Sequence, residues 1–147
     1  MTSITTPVTT FSPDDHAAVV QLAGDYGFHH DERDFEGLAA LFASDATYTM
    51  TITNGDTFGP REGRDAIVGQ IQEFKSQQHD VRRHVISNIA VTPIDADTAA
   101  IRSYVTVLAT TPERTDVVTA GVYRDRVERR EGIWVIVDKH LVLDRGF

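Results

Sequence analysis

Asp31 and His84 are the residues of this sequence whose types best suit acid/base chemistry. Asp31 stands at the end of a predicted first helix, where the helix dipole disfavours a carboxylate. His84 lies in a predicted strand, on the face that alternation also gives to Arg82, Ile86 and Asn88. A carboxylate beside an imidazole favours the protonated ring and fixes its tautomer, which makes the histidine a better base near neutral pH.

Several other side chains are candidates for contact with a substrate. Four tyrosines lie in predicted regular elements, and core packing is the alternative for each of them, although a buried phenol needs a partner for its hydroxyl. Arg145 could hold a substrate anion or an oxyanion, or it could form a surface charge pair. His30, near the end of the first helix, is a further pocket candidate. The predicted substrate-binding residues are therefore Tyr26, His30, Tyr48, Tyr104, Tyr123 and Arg145.

The sequence favours a reaction without a metal or an organic cofactor. Consecutive helical residues point about 100° apart, so His29, His30 and Asp31 cannot converge as a local ligand triad. The sequence contains no Gly-rich phosphate loop, Gly-x-Ser-x-Gly elbow, His-Glu-x-x-His motif or dinucleotide fingerprint. It also contains no cysteine, which excludes thiolate chemistry and disulfides.

Composition narrows the class of protein. The chain has 147 residues, of which 41% are hydrophobic and 24% charged, as is ordinary for one globular domain. Its net charge of -8 disfavours nucleic acids and anionic membrane surfaces as partners. No apolar run approaches the roughly 18 residues of a membrane span, and the N-terminus lacks the pattern of a signal peptide. We therefore expect a cytoplasmic protein.

The elements that must position the candidate residues follow from the hydrophobic pattern. Ser12, Pro13 and two aspartates predict the start of a first helix that runs to about His30. Asp34 caps a second helix whose buried face includes Phe42, and a third helix is predicted over 64–77. Strands are predicted over 46–53, at 57–58, and over 81–92, 98–108, 116–126 and 133–143.

This order of elements predicts an α+β fold with a strongly curved antiparallel or mixed sheet wrapped over three N-terminal helices. Residues 1–11 are predicted to be a flexible lead-in, and residues 12–147 a single domain. A curved sheet of this kind encloses an apolar mouth that suits a small apolar organic substrate. An uncovered apolar sheet face predicts a homodimer or a homotrimer.

The sequence resembles the SnoaL-like family of the NTF2-like superfamily. The resemblance rests on the run Leu22–Tyr48 with its Asp31-Glu-Arg-Asp34, on the strand Arg83-His84-x-x-Ser-Asn88, and on the final hairpin from Gly121 to Trp134. Within that family the sequence most resembles the branch of scytalone dehydratase, bile-acid 7α-dehydratase and hexachlorocyclohexane dehydrochlorinase.

The resemblance implies a cone-shaped α+β fold and a cofactor-free lyase with an Asp-His pair. The aspartate of the pair falls on Asp31 and the histidine on His84, and the histidine acts as base on a C–H proton. Two departures concern substrate. His30 replaces a tyrosine of scytalone dehydratase, and Thr119 and Ala120 occupy the region of its second histidine.

Two classes of function remain open at this level. The first is a cofactor-independent acid/base enzyme, with dehydratase-type elimination favoured and an isomerase or cyclase of a polyketide- or steroid-like substrate as the alternative. The second is a non-catalytic NTF2-like module that binds a ligand or a partner subunit, because one fold hosts many functions.

Overall fold

The computed structural model describes residues 10–147. Its elements follow in the order α1 (Pro13–Asp31), α2 (Phe35–Ala40), β1 (Phe42–Ile52), β2 (Thr57–Glu62), α3 (Arg64–Ser76), β3 (Val81–Asp95), β4 (Thr98–Thr110), β5 (Thr115–Arg130) and β6 (Ile133–Leu143). Most of the predicted lead-in lies outside the described residues. Phe11, at its end, packs edge-on against Trp134 with ring centroids 5.5 Å apart.

The six strands form one curved mixed sheet in the order β2-β1-β6-β5-β4-β3. β1 and β6 run parallel, and every other neighbouring pair is antiparallel. The predicted α+β class with helices packed on a curved sheet is therefore confirmed. The strand β3 lies at one edge of the sheet, so one side of its backbone has no strand partner.

The start of α1 follows the sequence signals. The Ser12 hydroxyl accepts a hydrogen bond from the backbone N–H of Asp15, whose carboxylate accepts one from the backbone N–H of Ser12. This capping box satisfies two helix-end donors. The Asp15 carboxylate also accepts hydrogen bonds from Arg129 and Trp134, at 2.7 and 3.2 Å. The helix start is thereby tied to β5 and β6.

The boundary between α2 and β1 differs from the prediction. Helix α2 ends at Ala40, and Phe42 is the first residue of β1, where the prediction placed it in the helix. Phe42 is completely buried in either assignment, so burial alone could not separate the two. The boundary between α2 and β1 is held by a hydrogen bond between residues far apart in sequence, in which the Ile136 N–H donates to the Leu41 carbonyl.

Helix α1 packs closely on the edge strand β3 at Gly27. A Cβ atom at this position would lie 3.2 Å from the His84 carbonyl oxygen and 3.2 Å from Ile86 Cδ1. The missing side chain lets the helix backbone approach the strand. Asp31 follows one helical turn later, so this close approach brings it to His84. Among residues 10–147, no helix is long and apolar enough to cross a membrane.

Candidate active site

Asp31 and His84, 53 residues apart in sequence, form a two-point contact. His84 Nδ1 lies 2.6 Å from Asp31 Oδ1, and the His84 backbone N–H donates to Asp31 Oδ2 at 2.8 Å. Both side chains are about nine-tenths buried. A carboxylate offers only acceptors, so the ring proton is on Nδ1.

The position of His84 on an edge strand explains this geometry. In an antiparallel ladder alternate N–H groups point away from the partner strand, and at a sheet edge they need another acceptor. Asp31 supplies that acceptor to His84. The two hydrogen bonds offset the unfavourable position of a carboxylate at the end of α1.

His84 Nε2 is the nitrogen left free for chemistry. The ring lines a cavity of about 50 Å³ that has a mainly apolar wall. This volume is far below the roughly 300–1,000 Å³ of typical ligand pockets, so a substrate requires side chains at the mouth to move. The lining residues are His30, Tyr48, Met50, Ile71, Phe74, Gln78, Arg82, His84, Val105, Val107, Thr119, Tyr123, Leu141, Leu143 and Phe147.

His30 lies against His84 inside the cavity. Their ring centroids are 4.0 Å apart, with the planes tilted by 43°. Burial, followed by the neighbouring His84, lowers the pKa of His30 well below its ordinary value of 6.5. Its Nδ1 is buried and makes no hydrogen bond with residues 10–147. His30 is thus a neutral imidazole with one unused nitrogen beside the Asp31–His84 pair.

Tyr48 and Tyr123 add two phenols to the cavity wall. Burial is the largest cause that raises the pKa of each phenol above its ordinary value of 10. Both hydroxyls therefore keep their protons and can donate hydrogen bonds. Tyr26, also predicted to bind substrate, is 1% exposed and packs edge-on against Tyr123 behind the wall, so it does not line the cavity.

A buried ion pair packs against the rings of Tyr26 and Tyr123. Lys139 Nζ lies 2.8 Å from Asp125 Oδ2, and both side chains are at most 3% exposed. The ammonium also lies 4.1 Å from the Tyr26 ring centroid and 4.0 Å from that of Tyr123. Burial lowers the pKa of Lys139 and raises that of Asp125, and each charge partly offsets the shift of the other.

The structure does not bring Tyr104 or Arg145 to the cavity, which corrects both predictions. Tyr104 is 52% exposed on the outer sheet face, because side chains alternate and its neighbour Val105 takes the inner position. Arg145 follows the end of β6 with an exposed side chain, and its backbone carbonyl accepts a hydrogen bond from Thr119 Oγ1 at 2.7 Å. Neither side chain lines the cavity.

The prediction from sequence missed several cavity residues. The one with a readable signal is Arg82, because a spacing of two residues in a strand places it on the same face as His84. Gln78 precedes the strand, and Phe147 contacts Phe74 with ring centroids 5.3 Å apart. Nothing in the local pattern around Gln78 or Phe147 indicates these positions.

His30, Asp31 and His84 bring three metal-ligand atoms within 4.8 Å of one another. This set contains His84 in place of His29, which belonged to the local triad considered in the sequence. In the structure His29 lies beside Asp34 instead, with His29 Nδ1 3.0 Å from Asp34 Oδ2. Both Asp31 oxygens already accept hydrogen bonds from His84, and the Lys75 charge acts on the same carboxylate. These contacts disfavour a divalent cation, and the absence of a metal remains a prediction.

A comparison of the sequence with known protein families places the chain in one of them. Residues 12–140 match the model of the SnoaL-like domain, so the chain belongs to the SnoaL-like domain family. This family includes enzymes such as polyketide cyclases and dehydratases. No curated protein matches the chain.

Solved structures share the NTF2-like fold. An NTF2-like protein with a cystatin-like fold from Novosphingobium aromaticivorans is 24% identical, with a TM-score of 0.76 over 91% of this chain and 84% of that one. A Catenulispora acidiphila protein in complex with S-DNPA is 25% identical, with a TM-score of 0.77 over 90% and 96%. A protein from Novosphingobium aromaticivorans DSM 12444 provisionally assigned as a scytalone dehydratase is 24% identical, with a TM-score of 0.72 over 88% and 84%.

Proposed function

We propose that this protein is a cofactor-independent acid/base enzyme that acts on a small, mainly apolar molecule. The observation that carries the proposal is the Asp31–His84 pair, whose histidine lines a mainly apolar cavity. A buried carboxylate–imidazole pair is the arrangement that orients a histidine as a general base. The favoured reaction is a dehydratase-type elimination.

In this reaction His84 Nε2 accepts a proton from a substrate carbon. Asp31 holds the ring through Nδ1 and stabilises the imidazolium that forms. The electron pair of the broken C–H bond forms a carbon–carbon double bond, and a hydroxyl on the next carbon leaves. Return of the proton to that hydroxyl releases water and restores the neutral ring.

Tyr48 and Tyr123 are the proposed donors to an oxyanion. Abstraction of a proton next to a carbonyl places negative charge on the carbonyl oxygen, and a phenol aimed at that oxygen stabilises the charge in a site that excludes water. Both hydroxyls remain protonated and both residues line the cavity. They take the role that the sequence gave in part to Arg145.

An isomerase or cyclase is the second candidate function. It begins with the same proton abstraction and differs in what the resulting carbanion does next. Membership of a family that includes polyketide cyclases favours it. The distinction rests on the product, since both reactions use His84 and Asp31 in the same roles.

A screen of small hydroxy ketones, aryl ketones and lactones tests the proposal. Mass spectrometry would detect loss of water, and NMR would detect rearrangement without loss of mass. The wild type is expected to convert at least one compound, and His84→Ala and Asp31→Asn are expected to lose about 10²- to 10⁴-fold of the rate. Conversion by both variants at the wild-type rate would contradict the proposal.

We further propose that the outer sheet face binds a second copy of the chain. Val85, Tyr104 and Val117 are 46%, 52% and 64% exposed on this face. Strand register places Val85 beside Thr106, the next outward residue after Tyr104 along β4. Apolar area of this kind on a sheet is typical of a homo-oligomer interface.

A further inference from the structure

Arg82 is the one arginine or lysine that lines the cavity within residues 10–147. It precedes His84 by two residues in β3, so both side chains belong to the same strand face. Its side chain is 12% exposed. The cavity therefore contains one strong cationic donor group among mainly apolar side chains.

Asp80 fixes the Arg82 guanidinium without using all of its donors. Arg82 Nε donates to Asp80 Oδ1 at 2.9 Å, and Nη2 donates to Oδ2 at 3.4 Å. In the described part of the chain Nη1 has no hydrogen-bond partner. A guanidinium held in this way presents donors in a fixed geometry, as carboxylate recognition requires.

Gln78 supplies an unsatisfied amide at the same end of the cavity. Its Oε1 is buried and makes no hydrogen bond with residues 10–147. The segment itself is held in place, because Arg33 Nη2 donates to the Gln78 backbone carbonyl at 3.0 Å. A buried acceptor without a partner is uncommon in native proteins, and a donor on a bound molecule, such as a hydroxyl, would satisfy it, whereas an ionised carboxylate offers no donor.

Lys75 is a second cation close enough to Arg82 to interact with it. Lys75 is 2% exposed, and the charges that act on it are those of Asp31, Arg33, Arg82 and Asp80. Cations thus outnumber carboxylates among these five groups, whereas the whole chain carries a net charge of -8.

We propose that Arg82 is a subsite for a carboxylate of the substrate, so that the substrate is a small apolar organic acid. The inference rests on the proposed function for the identity of the ligand as a substrate. Residues two apart in a strand are separated by about 6.7 Å. The carbon that loses its proton to His84 is therefore expected about four or five bonds from the carboxylate.

Binding of matched acids and amides tests the subsite directly. The probes are phenylacetate, 3-phenylpropanoate and 4-phenylbutanoate with their primary amides, measured by isothermal titration calorimetry. In the wild type the best acid is expected to bind about 10- to 100-fold more tightly than its amide, as for a charge-assisted hydrogen bond. Arg82→Gln is expected to abolish this preference.

Two further variants separate this inference from its alternatives. Arg83→Gln is the matched control, because Arg83 is the exposed neighbour that alternation directs away from the cavity, and it should keep the preference. His84→Gln should also keep it, since it removes the base and leaves the subsite. Wild-type turnover in His84→Gln with a retained preference for the acid would count against the proposed reaction alone.

The inference is overturned if acid and amide bind the wild type equally, if none of the acids binds, or if Arg82→Gln retains the preference. Should Arg82→Gln fail to fold, Arg82→Lys provides the comparison. A lysine keeps the charge but loses the fixed fork of donors, so the preference should fall and remain measurable. An unchanged preference in a folded Arg82→Lys protein would mean that the geometry of Arg82 does not select the carboxylate.

Discussion

At the residue scale, Asp31 shows how an unfavourable position can mark a candidate functional side chain. A carboxylate at the end of a helix is opposed by the dipole, and here two hydrogen bonds from His84 compensate for it. Both residue types were readable in the sequence. Their pairing was not, because the two residues are 53 positions apart and the chain between them determines where the side chains meet. Only the family resemblance connected them.

His30 makes a prediction about stability and pH. Its pKa in the folded protein lies below the ordinary value of 6.5, so below about pH 6.5 the unfolded chain binds more protons than the folded one. The free energy of unfolding should therefore fall as the pH drops from about 7.5 to 5.5, by up to about 1.4 kcal/mol per pH unit for this group.

Urea unfolding at about pH 7.5 and about pH 5.5 measures the free energy of unfolding of the wild type, His30→Phe and His16→Gln. Phenylalanine keeps an aromatic ring against His84 but cannot bind a proton, so His30→Phe should lose much of the pH dependence. His16 is exposed, and its substitution should leave the pH dependence as in the wild type. An equal fall in the wild type and His30→Phe would contradict the account.

At the element scale, the contact between α1 and β3 sets the distance from Asp31 to His84. Gly27→Val would place a branched side chain against the His84 carbonyl oxygen, which lies only 3.2 Å from a Cβ at that position. We expect lower stability and about a tenfold or greater loss of turnover, because the helix must move away from the strand.

Gly24→Ala is the matched control on the same helix, because a Cβ at this position has no neighbour within 4 Å. It should raise the free energy of unfolding by about 0.5–1 kcal/mol through helix propensity alone and leave turnover unchanged. Thermal unfolding and turnover of both variants check this pair. Wild-type turnover in Gly27→Val would show that the close approach does not position Asp31.

The cross-strand pair of Asp125 on β5 and Lys139 on β6 makes a second prediction at this scale. Lys139→Met leaves a buried carboxylate without its partner and should cost about 3–5 kcal/mol of unfolding free energy. The double variant Asp125→Leu/Lys139→Met removes both charges and should recover most of this loss. Urea unfolding of the single and double variants decides it, and a single variant as stable as the wild type would contradict it.

The positions of helices and strands were more predictable from the sequence than the face of the sheet on which each side chain lies. The helix starts and β6 agree with the sequence pattern, because capping residues and β-branched runs are local signals. A bulge with Asn88 at φ 55° shifts the pairing of β3 with β4, so strict alternation does not hold beyond Ser87. The inward direction of Tyr123 and the outward direction of Tyr104 likewise depend on register across three strands, which no local pattern supplies.

At the scale of the whole molecule, the outer sheet face predicts self-association. Tyr104→Glu should shift the protein toward monomer, because it places a charge in the exposed apolar area. Ile133→Glu is the control, as Ile133 is 65% exposed at the start of β6, away from Tyr104. Sedimentation velocity measures the change, and a wild type that is already monomeric would contradict the proposal.

The central claim, proton abstraction by the Asp31–His84 pair, is tested most directly by deuterium exchange. NMR in D₂O would follow exchange at the carbon next to the carbonyl in small ketones and keto acids, which requires proton abstraction but no later step. The wild type should accelerate exchange, and Asp31→Asn and His84→Gln should each lower the rate by about 10²- to 10⁴-fold. Asp34→Asn, which keeps a capping residue at α2, should exchange at the wild-type rate. Wild-type exchange in both Asp31→Asn and His84→Gln would contradict the account.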